Sequence, residues 1–258
     1  MSKTLTIFVQ EVKNYFLSPI AYIIAAGFVV FSGVSFYYRA TNFPRTIAAA
    51  QSSGLLDMLK QNRINYFVIT PMLSDVGYIL MFLIPVITMR LWAEERRAHT
   101  DELLLTSPIG VGKIMLGKYL GGVLFVLALL CITLVYVAFL FHYSAPDPGV
   151  TISSYLALVL FIAAAVGIGL FTSTVTENQI VASVSCLIIE LIFATFGGVA
   201  QSVKSVTLGK VLAYVSWREH MVNFFDGVIR SSDLLFFAGM IFLWVFLAYQ
   251  SVESLRWR

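Results

Sequence analysis

The sequence predicts an all-α integral membrane protein with six transmembrane helices, and its composition and its apolar segments indicate that fold class. Of the 258 residues, 59% are apolar and only 12% are charged, and the mean hydropathy is +0.87. Soluble domains are about half apolar and roughly a quarter charged, so the composition excludes an ordinary soluble enzyme and a disordered regulator. A net charge of +3 is too small to indicate a nucleic-acid partner.

Six segments approach or exceed the roughly 20 mostly apolar residues that a helix needs to cross a bilayer. The predicted spans of this single domain, 1–258, are 20–38, 71–92, 118–142, 152–174, 178–200 and 234–252. The second has a short uncharged part, 76–89. It reaches spanning length if Arg90 to Trp92 lie in the headgroup layer, or if the helix begins near Tyr66 and includes Asp75. An even number of spans places both termini on one side.

The first 19 residues predict an amphipathic helix that lies along the membrane interface. Its apolar residues recur at helical spacing, and they are Leu5, Phe8, Val9, Val12 and Phe16. Glu11 and Lys13 interrupt the apolar stretch, which excludes a signal peptide. Ser18-Pro19 predicts a corner before the first span, because proline disfavours helix in the residue before it.

A charged segment follows the second span. Six charged residues lie between Glu94 and Glu102, three leucines follow at 103–105, and Pro108 ends the helical pattern. A short helix with a charged half and a leucine half cannot cross the bilayer, but it can dock on another protein. The alternative is a solvated connecting loop, against which three consecutive exposed leucines argue.

This segment, PVITMRLWAEERRAHTDELLLTSPIGVGKIMLGKYL, resembles the signature of ABC-2 type permeases. The resemblance is closest to the subgroup of gliding-motility and nitrous-oxide-reductase-maturation permeases. The matching positions are Thr88-Met89-Arg90, Glu94-Glu95-Arg96, Thr100, Glu102 to Thr106, Pro108 and Gly117-Lys118. His99 stands where the family usually has glycine. A second stretch, LAYVSWREHMVNFFDGVIRSSDLLFF, is similar to the family's outer segment before the last span.

The resemblance implies a half-transporter that pairs with a second copy or a homologous permease and binds two ABC ATPase subunits. Those subunits would bind ATP and magnesium, so this chain would carry no cofactor and no ATPase activity. The charged segment would be the coupling helix, and its predicted contact residues are Glu94, Glu95, Arg96, Thr100, Glu102, Leu103, Leu104 and Pro108. The N-terminal helix is similar to the family's connecting helix, and the turn 175–178 would be a minor additional contact.

The resemblance also implies a location in the cell inner membrane, with both termini in the cytoplasm. The positive-inside rule favours that orientation only by nine basic residues to eight. The inner set is Lys3, Lys13, Arg90, Arg96, Arg97, Lys113, Lys118, Arg256 and Arg258.

No catalytic or metal site is predicted. The residues 112–118 have the glycine and lysine spacing of a phosphate-binding loop, but Tyr119 follows where a serine or threonine is needed. Gly117 and Gly121 instead predict close helix packing. The three histidines lack metal-ligand spacing. Cys131 and Cys186 lie in apolar stretches, so we interpret them as buried residues without a disulfide.

Glu190 is a carboxyl group within the fifth predicted span, where charge is expensive. It is interpreted either as a substrate, proton or dimer-contact site, or as a hydrogen-bonding partner of a neighbouring helix.

Between the last two spans, 206–215 and 216–226 predict a re-entrant or interfacial helix pair that closes the outer end. The alternative is a surface lid without a gating role.

The leading hypothesis is a permease subunit that couples ATP hydrolysis by a separate ATPase to substrate export or to conformational work. One alternative is a mechanotransmitting subunit that acts on a periplasmic auxiliary protein without moving a solute. Another is a proton-coupled secondary transporter that uses Glu190, although the sequence shows no inverted repeat. A membrane-bound enzyme is a more distant alternative.

Overall fold

The computed structural model describes residues 3–52, 64–101 and 109–255, and within those ranges it contains helices and no strands. The helices are α1 (Lys3–Leu17), α2 (Pro19–Ser52), α3 (Thr70–Thr88), α4 (Ala93–Arg97), α5 (Val111–Ile132), α6 (Leu134–Tyr143), α7 (Pro148–Val175), α8 (Gln179–Ser202), α9 (Val206–Val215), α10 (Trp217–Phe225) and α11 (Ser231–Leu255). A π-helical turn, Asn65–Ile69, leads directly into α3. The predicted all-α fold class is confirmed.

Among the residues that the structure describes, six helical segments are long and apolar enough to cross a membrane, as the sequence predicts. They are Pro19–Ala49, Asn65–Arg97, Val111–Tyr143, Pro148–Val175, Gln179–Ser202 and Ser231–Ser254. The third combines α5 and α6, which meet at Thr133. The second begins at Asn65 and continues to Arg97, so it includes Asp75 as well as Arg90 to Trp92, the two extensions that the sequence allows.

The long helix α7 lies at the centre of the bundle and packs against α3, α5, α8, α10 and α11. Its small residues permit this crowding. A Cβ atom on Gly169 would lie 2.0 Å from Thr88 Oγ1, so α3 and α7 cross with no room for a side chain between them.

An ion pair joins the C-terminal half of α2 to the N-terminal part of α3. Asp75 Oδ2 accepts hydrogen bonds from Arg39 Nε at 2.9 Å, from Arg39 Nη2 at 2.6 Å and from Ser35 Oγ at 2.6 Å. Because α2 continues to Ser52, Arg39 lies on a helix and not in the loop that a span ending at residue 38 implies. A carboxylate in a membrane-spanning segment is thus compensated by a neighbouring cation.

The two cysteines differ in environment, and both are free. Cys186 is buried in α8, but Cys131 is exposed on α5. The interpretation of Cys131 as a buried residue is therefore wrong, because an apolar run marks lipid-facing and core-facing positions alike.

The helices α9 and α10 form the segment between the last two spans, and neither is long enough to cross the bilayer. α9 packs along α8. α10 turns one face into the bundle, where the Trp217 ring meets Phe161 edge-on at 4.9 Å. Ser153 Oγ of α7 donates to the Phe224 carbonyl at 2.7 Å, which anchors the end of α10.

Candidate functional site: the junction of α1, α4 and α5

We call the meeting point of α1, residues 89–97 and the first half of α5 the junction. The chain leaves α3 at Thr88, turns through residues 89–92 and enters α4. Ser173 of α7 holds this turn, since its Oγ accepts from the amides of Trp92 at 2.9 Å and Ala93 at 3.0 Å and donates to the Met89 carbonyl at 3.1 Å. The amides at the start of a helix have no partner within it, and here a serine from another span binds two of them.

α4 ends in a Schellman motif, in which a left-handed residue turns the chain back on the last carbonyls. The Thr100 amide donates to the Glu95 carbonyl at 3.0 Å, and the His99 amide donates to the Arg96 carbonyl at 3.1 Å. His99 has a φ of 54°, which is the left-handed region that favours glycine. This is the position where the resemblance leads us to expect glycine, and the histidine adopts the left-handed backbone conformation that a glycine would adopt there.

Lys118 of α5 ties three helices together. Its ammonium contacts Glu11 Oε1 of α1 and lies 2.6 Å from Glu95 Oε1 of α4. Only 4% of the Lys118 side chain is exposed. A buried charge is stable only where it is paired, so the positions of α1 and α4 depend on the same ammonium group.

Two glycines make room for α1 on the surface of α5. A Cβ on Gly117 would lie 2.8 Å from Ile7 Cγ2, and a Cβ on Gly121 would lie 2.7 Å from Glu11 Cβ. Real Cβ atoms do not approach so closely, so any larger residue would push α1 away. The pair that predicts close helix packing therefore lies against the N-terminal helix.

Tyr15 and Arg90 fix the other end of α1 to the end of α3. The Tyr15 hydroxyl donates to the Ile87 carbonyl at 3.1 Å, and its ring stacks on Phe125 at 4.9 Å. Burial raises the pKa of Tyr15, so the hydroxyl stays protonated and keeps donating. Arg90 lies over the same ring and donates to Ser18 Oγ at 3.0 Å.

Arg96 links α4 to the turn between α7 and α8. Its Nη2 lies 3.1 Å from Glu177 Oε1, and its Nη1 donates to the Thr174 carbonyl at 3.2 Å. The turn 175–178 and α4 thus lie side by side.

A polar cavity of about 380 Å³ opens within the junction. Its charged lining consists of Glu11, Arg90, Glu94, Glu95 and Lys118. Within the described residues, no three histidine, cysteine or carboxylate side chains are placed to hold a metal ion. The observed arrangement joins helices through charge.

The structure brings together only part of the predicted contact set. Glu95 points inward to Lys118, Arg96 reaches Glu177, and Glu94 and Thr100 are exposed. Glu102, Leu103, Leu104 and Pro108 lie outside the described residues.

Glu190 lies apart from the junction, fully buried in α8. Cys186 Sγ lies 3.5 Å from Glu190 Oε1. Glu190 Oε2 has no hydrogen-bond partner among the described residues. The side chain thus faces the interior of one chain.

Sequence reasoning missed the partner of Lys118. Glu11 is 107 residues away in the sequence, and helical periodicity relates only residues on one helix. The available signal was indirect: Lys118 and Glu11 each interrupt an otherwise apolar pattern, and opposite charges in such settings tend to pair.

In a comparison with known protein families, residues 39–249 match the family described as ABC-2 family transporter protein. No curated protein matches the chain.

Proposed function

Because the chain belongs to the ABC-2 transporter family, and is the membrane-spanning permease component of such a transporter, we propose that its junction passes the movement of a separate ATPase into the spans. ATP and magnesium bind to the ATPase subunits. This chain converts their closure into a rigid-body shift of helices.

The contact of Lys118 with both Glu11 and Glu95 is the observation that supports this proposal most directly. A surface loop that moves freely could not transmit force. Here α4 is joined to α5 by a buried ion pair, to α7 by Ser173 and to the turn 175–178 by Arg96. A push on α4 therefore reaches the second, third and fourth spans together.

The proposed complex contains two permease chains and two ATPase subunits in the cell inner membrane. The α4 side must face the cytoplasm, where ATP is available. Both termini then lie in the cytoplasm too, because the described residues contain six candidate spans, an even number. The exposed Glu94 and the leucines that follow α4 in the sequence are the proposed contact with the ATPase.

A cavity of about 620 Å³ between α3, α8 and α10 supports movement of a solute over a purely mechanical role. Its apolar lining includes Tyr78, Met81, Leu191, Trp217 and Met221. A subunit that only pulled on an external partner would need no such space in its outer half.

The deciding experiment is co-purification of the full chain with its ATPase after replacement of Leu103 and Leu104 by glutamate. We expect the variant to insert in the membrane and to lose the ATPase. The matched control replaces the same residues by methionine and keeps the complex. A glutamate variant that still binds the ATPase overturns the coupling role.

Reconstitution in liposomes then separates transport from force transmission. We expect a transported solute to stimulate ATP hydrolysis in the complex. Stimulation that appears only when a periplasmic protein is added overturns the transport part of the proposal.

A further inference from the structure

The hydrogen bonds of His220, on α10, place both of its ring nitrogens against acceptor groups. Nδ1 lies 2.6 Å from Asp233 Oδ1, and Nε2 lies 2.8 Å from the Tyr214 carbonyl oxygen. A carbonyl oxygen can only accept, so Nε2 carries a proton. A second proton is needed between Nδ1 and Asp233, because a bare nitrogen and an ionised carboxylate would repel at this distance.

The surroundings of Asp233 favour the ionised carboxylate and hence the imidazolium form of His220. Asp233 Oδ2 accepts from Asn223 Nδ2 at 2.9 Å, and Oδ1 accepts from Ser232 Oγ at 3.4 Å. The His220 ring also stacks on Phe236 with centroids 4.0 Å apart, an arrangement that favours a cationic ring.

The pair is almost fully removed from solvent, since His220 is 6% exposed and Asp233 is 2% exposed. A charge in such a place is retained only with its partner. The contact joins the middle of α10 to the first turn of α11, across the turn 226–230.

The opposite side of α10 forms a wall of the outer cavity. Trp217, Met221 and Phe225 line that cavity, whereas His220 and Asn223 reach towards α11. The position of this wall therefore depends on the contact with Asp233.

We propose that His220 and Asp233 form a buried imidazolium–carboxylate pair that positions α10 against the outer cavity. His220 is a positioning residue, and its effect on transport rests on the proposed function above. When the pair separates, α10 keeps its contacts with α7 but loses its charged contact with α11, so the cavity wall is held less firmly.

A double-mutant cycle on the full chain in lipid nanodiscs tests the pair. The variants are His220→Gln, Asp233→Asn and the two combined, and the measurement is the rate of trypsin cleavage at the exposed Arg218. Cleavage reports how often α10 opens. Lys204, in the turn before α9, is the reference site because it lies outside the contact.

Each single variant leaves one buried charge without its partner, so we expect cleavage at Arg218 to rise about tenfold or more. The double variant keeps neutral hydrogen-bonding groups, and we expect its rate to fall to within about threefold of the parent chain. Single variants without faster cleavage, or a double variant that shows the product of both effects, overturn the proposal.

A control variant distinguishes the pair from general weakening of α10. Phe224→Leu removes buried apolar volume from the same helix without touching either charge. The variant that combines Phe224→Leu with His220→Gln should be cleaved at Arg218 faster than either single variant. Recovery in that combination would contradict a specific pair.

Nitrogen NMR of the labelled parent chain needs no variant of the pair. The chain has three histidines. We expect each of the two ring nitrogens of His220 to carry a proton, with the proton on Nδ1 shared with Asp233. A neutral ring with one bare nitrogen overturns the proposal even if the variants do not fold.

Transport by the reconstituted complex gives the functional readout. We expect slower transport with either single variant and recovery with the double variant. A parent complex that transports nothing contradicts the proposed function but leaves the cleavage and NMR results to decide on the pair. Full transport in a single variant with fast cleavage overturns the positioning role.

Discussion

The Lys118 ammonium of α5 lies 2.6 Å from Glu95 Oε1 of α4, and the same ammonium contacts Glu11 of α1. One buried cation thus holds two carboxylates from separate helices. The start of the third span cannot move without affecting both the N-terminal helix and the segment that follows the second span.

Replacing Lys118 by methionine should destabilise the protein strongly. The change leaves Glu11 and Glu95 close together without a cation, and breaking a buried pair in this way costs about 3–5 kcal/mol. The free energy of unfolding in detergent, measured by denaturant titration, checks this. Lys113→Met is the matched control, because Lys113 is exposed on the same helix and should change little.

A Gly121→Ala variant should displace α1. The added Cβ would lie 2.7 Å from Glu11 Cβ, and α1 must shift to admit it. Cysteine cross-linking between α1 and α5 should fall severalfold. Gly112→Ala is the control: the nearest atom, on Tyr249, is 3.8 Å from its Cβ, so the same substitution should leave cross-linking unchanged.

His99→Gly should stabilise the end of α4. A non-glycine residue in the left-handed region is held there at a cost of about 1 kcal/mol, which glycine avoids. Hydrogen exchange of the α4 amides should slow. Ala98→Gly provides the contrast, since Ala98 has a φ of −86° and gains nothing from glycine. If both variants slow exchange equally, the backbone of His99 is not the cause.

Glu190→Gln distinguishes two functions for the fifth span. Glutamine keeps the size and hydrogen-bonding groups of the side chain but cannot exchange a proton. An ATP-driven permease should keep its transport rate, whereas a proton-coupled transporter should lose transport altogether. The measurement is solute uptake by vesicles, with ATP or with a proton gradient as the only energy source.

The number and type of spanning helices could be predicted because hydrocarbon imposes a simple requirement on composition. The residues at which each helix begins and ends could not be predicted from composition. α2 continues past residue 38 to Ser52, because a helix that leaves the bilayer can extend into water with its backbone hydrogen bonds intact. Hydropathy detects only the part in lipid, so Arg39 falls outside the predicted span although it lies on the same helix.

In the candidate site too, some features could be predicted from the sequence and others could not. Residues within one segment, such as Glu94, Glu95 and Arg96, could be selected from their order in the chain. The contacts of Lys118 with Glu11 and of Arg96 with Glu177 depend on how helices far apart in sequence pack. The pairing of His220 with Asp233 also depends on the chain's path, because the turn between α10 and α11 brings the two side chains together.

The docking of α1 on α5 has a consequence for biosynthesis. Glu11 leaves the ribosome 107 residues before Lys118 does, so two spans are already made when the glycine surface that receives α1 first exists. Until then the neighbours available to the N-terminal helix are the lipid headgroups and the end of α3, which Tyr15 contacts. Completion of the third span is therefore the step at which α1 can first dock on α5.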